Sequence, residues 1–191
     1  MDELIYGVWK GRAYDNRRTI DGKAPEGLPL SEFLAFNSGN PVAGFAGPQG
    51  FLMFDNRVTL ADVLLSYYKR VRELACGRCT PCRAGGVMIV EALEAACEGR
   101  GSEVDWERIR DIALQMKETS LCGIGLTTPE PILGALEHFP ELLVNAPVMP
   151  ATQRDFISVA TAPCIEACPA KVNVPRYIDY IRDGHPELAT G

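Results

Sequence analysis

Apolar positions in the middle of the chain recur at helical spacing, whereas those at either end do not. From Leu60 onward, Leu60, Leu64, Tyr67, Val71 and Leu74 fall three or four residues apart, lining one face of a helix, and Thr59 stands where a hydroxyl can cap the amide of Asp62. This pattern predicts a helix over 60–75. A second is predicted over 86–97, where Ile89, Leu93 and Cys97 share a face and "EGRGS" ends the period. A third spans 105–118, with Trp106, Ile109, Ala113 and Met116 turned inward. The fourth follows "TTP": Thr128 caps it, Pro129 takes the first helical position, and Ile132, Ala135, Leu136 and Phe139 carry it forward. Four amphipathic helices on short connections predict a mainly α fold, a small four-helix bundle.

The flanking segments read differently. Residues 1–57 set Gly-, Pro- and Asn-rich stretches ("DGKAPEGLP", "NSGNP", "GFAGPQG") between short apolar runs, which predicts an irregular segment with short strands, best at "GFLMFD", Gly50 to Asp55. Residues 145–163 carry three prolines and weak periodicity, the pattern of a linker leaving the 58–144 helical domain. Residues 164–191, "CIEACPAKVNVP" followed by the helical pattern "RYIDYIRDG", begin a second unit that the chain does not finish. The glycines of "GFAGPQG" follow G-x2-G-x2-G rather than G-x-G-x-x-G, and no βαβ pattern surrounds them, so the stretch reads as a plain loop and not a nucleotide cradle.

Composition narrows the function classes. The chain has 191 residues, 47% of them hydrophobic, which is enough to bury a core; its formal net charge of -6 argues against nucleic acid, whose phosphates call for clustered Lys and Arg. Protein and small-cofactor partners are expected instead. The N-terminus, "MDELIYGVWKGRAYDNRR", has no signal-like apolar run, and nowhere do about 18 apolar residues run together, so a cytoplasmic protein without a transmembrane segment is expected. Seven cysteines, clustered rather than spread, favour metal chemistry over a disulfide framework.

The cluster is "ACGRCTPCRAGG", in which Cys76, Cys79 and Cys82 follow C-x2-C-x2-C. Zinc is one reading, but structural zinc sites favour two separated pairs, often with His, and the two histidines, His138 and His185, lie elsewhere. Three thiols at this spacing suit three corners of an iron-sulfur cube, whose irons are spread too widely for one tight knuckle. The fourth corner falls to Cys122 in "SLCGIG", where Gly123 and Gly125 let the backbone wrap closely round a bulky group. Cys97, the competitor, sits on the apolar face of the second helix and reads as a buried core thiol. Arg78 and Arg83 would favour a reduced cluster, or simply form a solvated face.

Together "ACGRCTPCRAGG", "SLCGIG" and the later "ALEHFPE" resemble the iron-sulfur domain that closes the flavin-carrying subunit of NADH:quinone oxidoreductase (complex I), with relatives in NAD-linked hydrogenases and formate dehydrogenases. The resemblance covers roughly Gly50 to Leu143. It implies that Cys76, Cys79, Cys82 and Cys122 hold one [4Fe-4S] cluster relaying single electrons in an NAD(P)H-linked oxidoreductase complex, with flavoprotein and other iron-sulfur subunits as partners. The family's FMN- and NADH-binding part is missing here, so FAD or FMN belongs to a partner or to a region outside this chain. No catalytic residues are expected: neither a Ser-His-Asp nor a Cys-His arrangement is visible. The alternative is a structural, metal-stabilised subunit-interaction module built on zinc or a redox-silent cluster. In the tail, "APCIEACPAKVNVP" is similar to the start of the iron-sulfur domain of the glutamate synthase small subunit, which implies that Cys164 and Cys168 belong to a second [4Fe-4S] site whose other ligands lie outside this chain.

Overall fold

Lys10 and Gly11 both adopt positive φ, 52° and 74°, the backbone of a tight hairpin turn whose twist matches that of paired strands. They join β1 (Tyr6–Trp9) to β2 (Arg12–Asp15), with Trp9 opposite Arg12. The computed structural model describes residues 4–17, 43–148 and 156–158 and, in the tail, 169–170, 172, 180–181 and 184–189. A second hairpin is formed by β3 (Gly44–Gly47) and β4 (Gly50–Met53). "GFAGPQG", expected as a plain loop, is therefore a strand and a turn leading into the next strand. Gly50 must be glycine: its φ is 135°, and a Cβ there would lie 1.9 Å from the Val8 carbonyl oxygen on β1.

The sheet order is β2-β1-β4-β3-β5, antiparallel except where β5 (Phe156–Ser158) runs parallel to β3. Side chains alternate across it. Tyr6, Val8, Phe51 and Met53 enter the main core with the helices, while Phe45, Leu52 and Phe54 join Leu4 and Tyr14 on the opposite face.

The helices are α1 (Leu60–Leu74), α2 (Thr80–Cys97), α3 (Trp106–Thr119), α4 (Gly123–Thr127), α5 (Glu130–His138) and α6 (Glu141–Val144). The fold is thus mainly helical with a small sheet; α4 and α6 are short additions to the four expected helices. At α1 the Thr59 hydroxyl accepts from the Asp62 amide at 3.0 Å and donates to the Asp62 carboxylate at 2.8 Å. Leu60, Leu64, Tyr67 and Val71 are buried as their spacing predicts, and so are Ile89, Leu93, Ile109, Ala113, Met116, Ile132, Ala135 and Phe139.

α1 packs on α2, α2 on α3 and α3 on α5; α1 also meets β3 and β5, and α5 meets β1 and β4. Arg17, just past β2, ties sheet to helices: it pairs with Asp15 at 2.7 Å and Glu141 of α6 at 2.9 Å and lies over the rings of Tyr6 and Phe139.

Two boundaries differ from expectation. α2 begins at Thr80, six residues before the apolar period starts, with Pro81 in its first turn. Thr128 does not cap α5 through its side chain: it follows α4, its buried hydroxyl has no partner among the described residues, and its carbonyl accepts the Tyr68 hydroxyl at 2.7 Å.

Candidate metal centre

The expected cysteines sit where two helix starts adjoin. α1 stops at Leu74 in an extended cap, and the chain turns through Gly77, φ 77°, into Cys79, the extended N-cap of α2. Cys76 lies half-buried in this loop. Cys82 falls in the first turn of α2 and is buried, at 8% exposure. On the far side, α3 ends at Thr119, and after Ser120 and Leu121 the chain reaches Cys122, the extended N-cap of α4. Neither Cys79 nor Cys122 uses its side chain to cap its helix.

Electrostatics show that the four thiols share one neighbourhood. Burial pushes the Cys82 thiol up to about 12, and Cys79, Cys122 and Cys76 each add to the rise, with Cys79 also hydrogen-bonded to it. Four thiolates would therefore repel one another unless a cationic group lay among them. Among the described residues no three His, Cys, Asp or Glu side chains converge tightly enough for a single metal ion. First-turn acids are absent from both α2 and α4, while Arg78 and Arg83 stand exposed beside the loop, Arg83 donating to the Gly77 carbonyl at 3.0 Å. The positive end of α2 and two arginines of the same loop thus lie in the stretch that carries the thiols.

The donor set and its surroundings fit an iron-sulfur group. All four donors are sulfur, the ligand such clusters select. Gly125 of α4 is pressed against the site: a Cβ there would lie 2.3 Å from both Cβ and Oγ of Ser120 and 3.3 Å from the Cβ of Cys82. The Ser120 hydroxyl is buried with no partner among the described residues. No sequence signal distinguishes it from an ordinary helix-end serine.

The remaining candidates separate from this site. Cys97 closes the other end of α2, about 22 Å along the helix from Cys82 at 1.5 Å per residue. Expected as a buried core thiol, it is only half-buried, because it lies in the last turn where the helix leaves the core. His138 is exposed on α5, on the wall of a surface groove it shares with Arg110, Lys117 and Glu137. His185 is exposed in the tail, 3.3 Å from Glu187. Cys164 and Cys168 lie outside the described residues.

Residues 62–146 match the family described as NADH-ubiquinone oxidoreductase-F iron-sulfur binding region. The chain is 29% identical to the NADPH-Fe(3+) oxidoreductase subunit beta of Geobacter sulfurreducens over 96% of its own length and 27% of that protein's. It is 28% identical to the NADP(+)-dependent formate dehydrogenase subunit beta of Moorella thermoacetica, over 98% of this chain and 31% of that one. With the NADP-reducing hydrogenase subunit HndC of Solidesulfovibrio fructosivorans the identity is 32%, over 73% and 30%. The chain thus spans under a third of the length of these relatives.

Proposed function

We propose that this chain is the iron-sulfur electron-transfer part of an NAD(P)H-linked oxidoreductase complex, with Cys76, Cys79, Cys82 and Cys122 holding a [4Fe-4S] cluster. The observation that supports the reading is that Cys76, Cys79 and Cys122 all act on buried Cys82, bringing near one another thiols of two helix starts that lie 40 residues apart in the chain. When bound, such a cluster takes up and releases one electron at a time at a potential set by its surroundings. The chain's own residues do the rest. Cys79 and Cys82, at the cap and first turn of α2, are fixed by that helix. Cys76, in the loop before α2, and Cys122, in the extended cap of α4, complete the set. Arg78, Arg83 and the start of α2 offset the negative charge that reduction adds, and Gly125 leaves room beside Cys82.

In this reading residues 58–144 are the functional unit, carried on the strands of 1–57, and 145–163 lead to a second unit over 164–191. Cys164 and Cys168 contribute to a second cluster completed by ligands outside this chain. FAD or FMN sits in a partner flavoprotein or in a region beyond this chain, and the complex works in the cytoplasm; no helix among the described residues is long and apolar enough to cross a membrane. Iron and acid-labile sulfide analysis of anaerobically purified protein, with EPR of the dithionite-reduced sample, tests the central assignment. Near-equal iron and sulfide with a signal from a reduced cubane supports it. A colourless protein carrying zinc and no such signal would leave only a structural module.

A further inference from the structure

Among the described residues, the Ser120 hydroxyl is a buried polar group beside the thiols that the cluster reading leaves unused. Ser120 is 8% exposed; its amide donates to the Met116 carbonyl at 3.2 Å to close α3, but its Oγ meets no donor or acceptor among the described residues. A hydroxyl shut away from water without a partner is costly, which makes it a candidate donor to a group bound beside it. Its position says which. The Ser120 side chain packs directly on Gly125 next to Cys82: a Cβ on that glycine would lie 2.3 Å from both Oγ and Cβ of Ser120 and 3.3 Å from the Cβ of Cys82. The hydroxyl and the most buried thiol therefore flank the same glycine, and Cys122 caps the helix that begins there, two residues beyond Ser120.

We propose that Ser120 is a positioning and tuning residue for the bound cluster: its Oγ–H donates a hydrogen bond to cluster-bound sulfur on the Cys82 side, lowering the free energy of the reduced, more anionic state. Backbone closure of α3 holds the serine there, and Gly125 prevents any side chain from displacing it. The inference rests on the reading that the four cysteines hold a cluster, and its test separates the two.

The experiment compares wild type, Ser120→Ala and Ser120→Thr, each purified anaerobically as the full chain. Iron and sulfide content is measured first, then the midpoint potential by EPR-monitored redox titration. Loss of the hydroxyl is expected to leave iron and sulfide unchanged but make the reduced form roughly tenfold less favoured at a fixed poise, a negative shift of about 59 mV for a one-electron couple. Threonine, which keeps the donor, is expected to restore most of the shift. Pulsed electron-nuclear double resonance of the reduced wild type should also show a strongly coupled proton, exchangeable in D2O, that the alanine variant lacks. A fully loaded alanine variant with wild-type potential and unchanged proton couplings overturns the proposal while leaving the ligand assignment standing. Absence of any cluster in wild type overturns the underlying reading instead. If neither variant loads, an exchangeable-proton spectrum of wild type without such a coupling overturns the inference by itself.

Discussion

Cys82 shows how one residue links protonation, packing and assembly. Burial, followed by the neighbouring thiols, raises its proton affinity to about 12, above the ordinary cysteine value near 8.5. In cluster-free protein the folded state thus holds a proton that the unfolded chain has shed by about pH 9, so stability falls as pH rises from there toward 12. Buried Tyr6, Tyr67 and Tyr68, likewise raised by burial, add a loss of the same sign above about pH 10. Urea midpoints of the cluster-free protein are expected to drop steadily from pH 8.5 to 11, and a flat profile would count against this burial. Cluster assembly displaces these protons, so iron loading should weaken as pH falls, as it does for thiolate metal sites generally. Cys79→Ser is expected to abolish most cluster iron, whereas Cys97→Ser, about 22 Å along α2 from the Cys82 position, should leave it intact; retained iron in the first variant would refute that ligand. At this scale the cysteine triplet was readable from spacing alone. Ser120 was not, because only the fold reveals that its hydroxyl is enclosed.

At the scale of elements, periodicity located the long helices because each buries a continuous stripe. It missed the first turn of α2 because that turn faces sulfur rather than the apolar core, so its residues show no hydrophobic period; Pro81 after Thr80 was the available signal. α4 escaped for a similar reason. Its five residues, Gly123–Thr127, contribute only Ile124 and Gly125 to the interior. The caps are testable here. Thr59→Ala removes both hydroxyl contacts at the start of α1 and should lower stability by about 1 kcal/mol in denaturant titration. Gly101→Ala places a Cβ about 2.1 Å from the Leu143 carbonyl oxygen and 2.8 Å from that of Val144, forcing the α2–α3 connection away from α6. Overpacking of that kind costs typically about 1–3 kcal/mol, read by the same titration.

Across the whole molecule, helices and sheet share one core: Tyr6, Val8, Phe51 and Met53 from the strands pack with Leu64, Tyr67, Ile89, Leu93 and Ile132. Of the four thiols only Cys122 packs against that core, and none is among its buried members, so stripping the cluster with chelator and oxidant should preserve most helical circular dichroism. Hydrogen exchange should then quicken mainly over 75–86 and 119–127, the segments that carry the four proposed ligands; global unfolding on removal would show that the cluster organises the core as well. The sheet order could not be read from the sequence, since pairing β1 with β4 and β3 with β5 depends on contacts far apart in the chain. The parallel β5 covers the longer strand β3 and becomes the sheet's edge itself, three residues long. It occupies the outer backbone groups of β3 from Gly44 to Ala46, so a chain cut just after Ala146 would present an unpaired strand margin to neighbouring molecules. Such a shortened protein is expected to form more concentration-dependent dimers and larger species in light scattering than the longer one at the same concentration, because its exposed edge is the longer strand β3.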